Sequence, residues 1–307
     1  MKDISIAVHG GAGTILPSSM TPELEEAYQF ALKTAVEEGH QILHQGGSAL
    51  DAVEHAVRLL EDTPLFNAGK GSVFTKDGRH EMDAAIMCGN TLKAGAVAGV
   101  RSIRNPVRLA RTIMEHSDHV FISGCGAEDF ARNHGLTFEP ENYFFDKHRY
   151  QQWQEVRDSH VFMLDHSHDE KFGTVGAVAL DQKGHVAAAT STGGMTNKRF
   201  NRIGDSPVIG AGTYANNNTC AISCTGHGEY FLRAVVAYDV SCLMEYKGYS
   251  LSQACEEVVL NKLVKFGGEG GLIGVSKTGD IALTFNSEGM YRASKKNKEQ
   301  TYVGIYK

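Results

Sequence analysis

Gly173-Thr174-Val175-Gly176-Ala177-Val178-Ala179-Leu180-Asp181 follows a polar region, turns at Gln182-Lys183-Gly184, and returns as His185-Val186-Ala187-Ala188-Ala189-Thr190-Ser191-Thr192. Two apolar runs about a short glycine-bearing turn predict an antiparallel hairpin. Val178 and Leu180 point one way and Val175, Ala177 and Ala179 the other, so both faces are apolar and both need cover. A turn centred on Lys183 sets Asp181 opposite His185 and Thr174 opposite Thr192, with opposed Cβ atoms ~4.5 to 5.5 Å apart. Two hydroxyls then meet at the end of a buried hairpin, where the polar region joins it. Threonines also pair across strands for reasons of packing alone, so spacing leaves a site and ordinary sheet pairing both open.

The flanking sequence supplies the cover. Upstream, the start from Met1 to Gly10 reads as a first strand, Thr21-Pro22 opens a helix, and Ser48 with Asp51 caps a second that stops before Thr63-Pro64. Short apolar runs between Gly71 and Val100 turn at Lys76-Asp77-Gly78 and read as antiparallel strands, and Asn105-Pro106 leads into another helix. The segment from about Phe138 to Phe172 is polar and irregular and reads as a loop. Downstream, Glu229 to about Tyr246 and Leu251 to about Leu263 are helical, and a further hairpin turns at Lys277-Thr278-Gly279-Asp280. Strands, helices and strands again give a layered α+β fold, a single unit over residues 1–307.

The 307 residues are enough for a full core, and 42% hydrophobic with 21% charged residues is ordinary globular usage. A net charge of −6 without a basic run excludes a nucleic-acid surface as the main function. No apolar run approaches the ~18 to 20 residues of a membrane helix. The opening residues read as a strand and not as a signal peptide, and six scattered cysteines read as reduced, mostly buried thiols, so a cytoplasmic protein is expected. Cys220 and Cys224 sit in a strand-like segment with no histidine pair at zinc-finger spacing, which favours core packing over a metal. His160, His166 and His168 fall in the polar segment and read as solvated rather than metal-binding. Glycine is over-represented, at 34 residues, which points to loops where backbone approaches something closely.

Further candidates lie downstream of the hairpin. Asn201-Arg202-Ile203-Gly204-Asp205 sets a forked cation three residues from a carboxylate, a pair suited to the carboxylate and ammonium of a free amino acid, or to a surface salt bridge. Thr225-Gly226-His227-Gly228-Glu229 joins a strand to a helix through two glycines and offers backbone N–H groups to an oxyanion, or is an ordinary connection. His9-Gly10-Gly11-Ala12-Gly13 lacks the spacing of either phosphate-binding fingerprint. No Gly-x-Ser-x-Gly elbow or thiol-protease signature is present.

Taken with Pro64-Leu65-Phe66-Asn67-Ala68-Gly69 and the run Gly89 to Val100, these motifs closely resemble, in order and nearly end to end, the plant-type asparaginase and isoaspartyl aminopeptidase family of N-terminal nucleophile hydrolases. The resemblance implies a four-layer αββα sandwich and self-cleavage between Gly173 and Thr174 into an α chain, 1–173, and a β chain, 174–307. It implies that Thr174 is the nucleophile with its freed α-amine as base, that Thr192 supports it, and that Thr225 and the Gly226 N–H form the oxyanion hole. Arg202 and Asp205, with Gly228 and Asn67, would bind substrate: L-asparagine or a β-aspartyl dipeptide. Backbone carbonyls of Leu60, Glu61, Thr63, Phe66, Ala68 and Lys70 would hold a structural sodium ion, no cofactor would serve catalysis, and two αβ units would pair as a homodimer. The competing readings are a glycosylasparaginase-type amidase and an uncleaved amino-acid-binding protein.

Overall fold

The computed structural model describes residues 3–158 and 173–307. The described strands are β1 (Ser5–Gly13), β2 (Met82–Cys88), β3 (Ala94–Val100), β4 (Phe121–Ser123), β5 (Val175–Leu180), β6 (Val186–Thr192), β7 (Thr213–Ala215), β8 (Cys220–Gly226), β9 (Gly270–Ser276), β10 (Ile281–Phe285), β11 (Gly289–Lys296) and β12 (Tyr302–Tyr306). They form an eight-stranded sheet in the order β12-β11-β1-β5-β6-β2-β3-β4 and a four-stranded sheet in the order β10-β9-β8-β7. Pairing is antiparallel except between β3 and β4.

The hairpin has the register that its turn dictates: Val175 faces Ser191 and Leu180 faces Val186, with Asp181 and His185 closing the turn through the Asp181 N–H to the His185 carbonyl. Its two faces feed two different cores. Val175, Ala177 and Ala179 join one with Ile6, Val8 and Ile86, while Val178 and Leu180 join another with Ala221, Ile273 and Val275 from the smaller sheet.

Helices α1 (Pro22–His44), α2 (Ala49–Glu61) and α3 (Pro106–His116) fill the first core with Leu32, Val36, Val53, Val57, Leu109 and Ile113. Thr21 caps α1 by accepting from the Leu24 N–H, and Ser48 with Asp51 forms a complete capping box on α2, as their spacing predicts. The polar segment after Phe138 is less irregular than expected. After α4 (Gly124–Asn133) it folds into α5 (Glu141–Phe144) and α6 (Lys147–Val156), because Asp146 caps α6 and Phe144, Tyr150 and Trp153 pack around Phe74 and His80. His160, His166 and His168 lie outside the described residues.

The predicted helix from Glu229 breaks into α7 (Gly228–Ala234) and α8 (Val236–Lys247) at Val235, whose φ is 51°. The Ala237 and Tyr238 N–H groups donate to the carbonyls of Ala211 and Gly210, so a neighbouring loop takes the bonds that a continuous helix would have made. α9 (Leu251–Glu256) continues through a wide turn at Glu257–Lys262 to Leu263. Phe231, Val240, Leu251, Val258 and Leu263 from these helices cover Ile222, Cys224 and Leu272 on the smaller sheet's other face. Cys220, Cys224 and Cys255 are buried, Cys88 and Cys242 half-buried and Cys125 exposed, so fewer thiols are buried than expected. No described helix is long and apolar enough to cross a membrane.

Candidate active site

Thr174 stands one residue before β5 begins, and its Oγ1 lies 2.9 Å from Thr192 Oγ1 at the end of β6. Thr192 Oγ1 also accepts the Gly194 N–H at 3.0 Å, which orients that hydroxyl. The two threonines open into a cleft lined also by Asn67, Gly173, Arg202, Asp205, Gly226 and Gly228, so all these predicted residues meet at one place.

Gly173 is pressed against Asn67: an added Cβ would lie 2.6 Å from Asn67 Cβ. The Asn67 side chain is engaged with backbone, its Nδ2 donating to the Gly194 carbonyl at 2.6 Å and its Oδ1 accepting the Val73 N–H at 3.0 Å. Asn67 therefore fastens the 193–194 turn to its own loop while facing the cleft.

At the far side, Arg202 does not pair with Asp205. Its Nε and Nη2 donate to the two Glu229 oxygens at 2.8 and 2.7 Å, a bidentate bond. Burial of Glu229 works against ionisation, but the Arg202 fork outweighs it and holds the carboxyl below its usual range. Asp205 is buried, and its Oδ2 has no hydrogen-bond partner among the described residues. Burial pushes its pKa up to about 7 despite the opposing Arg202 charge. A Cβ on Gly228 would lie 2.9 Å from both Arg202 Nη2 and Asp205 Oδ1, so a glycine there lets the cation and the carboxylate converge.

Thr225, the penultimate residue of β8, is buried, and its Oγ1 too has no partner among the described residues. An orphaned hydroxyl in a dry site is costly unless something arrives to use it. Gly226 has φ 146°, with Phe231 and the Gly270 backbone against it.

Behind the cleft, the 60–70 loop crowds its carbonyls around two glycines. An added Cβ on Gly69 would strike the Glu61 carbonyl, and one on Gly71 the Pro64 and Phe66 carbonyls. The Phe66 and Ala68 carbonyls already accept the Ala68 and Gly71 N–H groups at 2.9 and 3.2 Å. Among the described residues there is no cluster of three His, Cys, Asp or Glu side chains suited to a metal.

Two site residues carry no predicted role. Glu229 stands in the Thr225–Glu229 motif, but its grip on Arg202 depends on a bend that spacing does not specify. His9 stands in the first strand, yet its partners are Thr174 and Ser223, 165 and 214 residues away.

A family model described as asparaginase matches residues 2–305. An isoaspartyl peptidase of Salmonella typhimurium is 54% identical over the whole of both chains. An isoaspartyl peptidase/L-asparaginase of Xenopus laevis is 42% identical over 100% of this chain and 96% of that protein. A plant-type L-asparaginase of Pyrococcus horikoshii is 41% identical over 98% of this chain and 100% of that protein.

Proposed function

The chain belongs to the asparaginase family, and from that membership and the geometry at Thr174 we propose that it is a self-cleaving amidohydrolase acting on L-asparagine and β-aspartyl dipeptides. The observation that carries this reading is the 2.9 Å contact between the Thr174 and Thr192 hydroxyls, in a cleft shared with Arg202 and Asp205. The two sheets, covered by helices on both outer faces, are read as a four-layer αββα sandwich that folds as a single unit.

In maturation, Thr174 Oγ attacks the Gly173 carbonyl carbon, the peptide nitrogen takes the proton and leaves, and water hydrolyses the resulting ester. Gly173 ends as a carboxylate and Thr174 as a new N-terminus. A free α-amine titrates near ~7.7 to 8.0, so part of it is neutral at pH 7 and accepts the proton of its own hydroxyl. In turnover, the same oxygen attacks the side-chain amide carbonyl of asparagine or the β-aspartyl bond. The protonated amine passes its proton to the departing ammonia or amino acid, and water releases aspartate. Thr192 donates to the nucleophile, and the Thr225 hydroxyl, which has no partner among the described residues, receives the oxyanion with the Gly226 N–H, where losing one donor costs ~2.7 to 4 kcal/mol.

Arg202 takes the substrate α-carboxylate with the N–H groups that Glu229 leaves, Asp205 takes the α-ammonium, and Gly228 leaves room for both. Asn67 holds the turn beside the scissile bond. A sodium ion on the carbonyls of Leu60, Glu61, Thr63, Phe66, Ala68 and Lys70 would stiffen the loop that carries Asn67 and takes no part in the reaction. Six cysteines without a disulfide fit a reducing compartment such as the cytoplasm.

Intact mass, N-terminal sequencing and turnover of both substrates test the proposal. Two chains, one beginning Thr174-Val175-Gly176, with release of aspartate, are expected, and Thr174→Ala should stay uncut and inactive. Full turnover by uncut Thr174→Ala would sink the mechanism, and binding of asparagine without turnover by the wild type would favour an amino-acid-binding protein. Light scattering checks the expected pairing of two αβ units.

A further inference from the structure

A line of buried polar groups runs from Thr174 through the space between the two sheets. His9 Nδ1 lies 3.0 Å from the Thr174 carbonyl oxygen and His9 Nε2 2.9 Å from Ser223 Oγ. Ser223 Oγ lies 2.7 Å from Thr190 Oγ1, which lies 2.7 Å from Thr213 Oγ1, and Thr213 Oγ1 also reaches the Ser206 carbonyl at 3.0 Å. His9, Ser223, Thr190 and Thr213 are each 0% exposed. Four polar side chains, on β1, β8, β6 and β7, thus fill a seam whose other residues are largely alanine, valine and isoleucine.

The direction of every bond in the line follows from its first member. A carbonyl oxygen only accepts, so Nδ1 must carry the proton. Burial drives the His9 pKa down to about 3, against the hydrogen bond to Thr174 that raises it, so the ring is neutral and Nε2 carries no proton. Nε2 then accepts from Ser223, Ser223 in turn accepts from Thr190, and Thr190 accepts from Thr213. The Thr174 carbonyl therefore selects the tautomer and the hydroxyls align to it, with the single Thr213 proton spent on Thr190 and not on the Ser206 carbonyl. Gly176 makes room for the line, since an added Cβ would strike both Ser223 Oγ and His9 Nε2.

We propose that His9 is a positioning residue for the nucleophile: its Nδ1–H anchors the Thr174 carbonyl, while the Ser223 hydroxyl, backed by Thr190 and Thr213, donates to its bare Nε2 and holds the ring in place. The need arises on cleavage. Thr174 precedes the β5 ladder, whose first pair is Val175 with Ser191. Losing Gly173 leaves it held by its bond to Val175, the Thr192 hydroxyl and His9.

This inference rests on the reading of Thr174 as nucleophile, and its first test does not depend on activity. Histidine labelled with 15N, followed by two-bond proton–nitrogen correlation, reads the tautomer directly, and the His9→Asn spectrum identifies His9 among the 14 histidines. A protonated Nδ1 and an unprotonated Nε2 at pH 7 are expected, and the opposite tautomer overturns the proposal even if the enzyme cleaves itself and turns over. Failure of the wild type to cleave or turn over would instead sink the functional reading and leave the tautomer measurable.

The second test uses two replacements. The amide nitrogen of Asn stands near Nδ1 and keeps the donor to Thr174, whereas Gln reaches Ser223 and loses that donor. His9→Gln should lose ~10²-fold in kcat, the scale of a displaced reacting group, while His9→Asn loses less than ~10-fold and both keep KM within ~3-fold. Ser223→Ala removes the donor to Nε2 and should lower kcat, while Nδ1 stays protonated on the Thr174 carbonyl. A larger activity in Gln than in Asn, at matched unfolding temperature, would mean that His9 only fills space, and would overturn the proposal.

Discussion

A carboxylate largely withdrawn from water is expensive to ionise, and Asp205 is buried with one oxygen that has no partner among the described residues. Its pKa stands at about 7 against an ordinary 3.8. Between those values the folded chain binds a proton that the unfolded chain has released, so the stability contribution of this group falls as pH rises from 4 to 7 and is least above 7. Asp205→Asn should therefore raise the unfolding temperature relative to wild type at pH 8 and leave it unchanged at pH 4, in thermal melts across pH. The activity should move the other way. On the proposed reading ionised Asp205 takes the substrate's ammonium, so wild-type kcat/KM should rise through pH 7, and the Asn variant should lose ~10²-fold with an acid limb set by the terminal amine alone. Equal melting temperatures at both pH values would mean that Asp205 is already paired and solvated.

Within β5, Gly176 is the position where strand and site compete for the same space. Placing a methyl group there should cost ~1 to 3 kcal/mol, the usual range for overpacking, and should lower kcat by moving His9 and Ser223. Gly126, in α4 with nothing within 4 Å of an added Cβ, is the control, and its replacement by Ala should leave denaturant unfolding and turnover unchanged. A neutral Gly176→Ala would show that the seam can relax. The hairpin around it was open to sequence reading because a period of two and a short turn fix register locally, and the Thr174–Thr192 contact follows from that register. The caps on α1 and α2 were equally local. The bend at Val235, the helix at Lys147–Val156 and the Arg202–Glu229 bond were not, because each is decided by groups distant in the chain: the carbonyls of Gly210 and Ala211, the Phe74 ring, and the path of the loop after β6. His9 shows the same limit most sharply, since nothing near it in sequence names its partners.

At the scale of the whole molecule, cleavage before Thr174 would cut one chain without producing a separable piece. In the larger sheet, β12 and β11 come from after the cut, β1 from before it, β5 and β6 from after it, and β2, β3 and β4 from before it. Three seams of backbone hydrogen bonds thus join the two products: β11 with β1 from Ser5–Lys296 to Gly13–Gly289, β1 with β5, and β6 with β2. The first core is shared in the same way, with Leu32, Val53 and Ile113 from one product packed with Val175, Ala189 and Tyr291 from the other. Pulling the products apart would break all three seams and expose that core together, so separation is equivalent to unfolding. Native size-exclusion chromatography of the mature protein should therefore give one species containing both chains, while a denaturing gel resolves 1–173 from 174–307. Its melting temperature should stay within ~4 to 8 °C of uncut Thr174→Ala, the shift that ~1 kcal/mol produces in a small domain and an upper bound for a larger one. Release of either chain in buffer without denaturant would contradict the interleaved sheet.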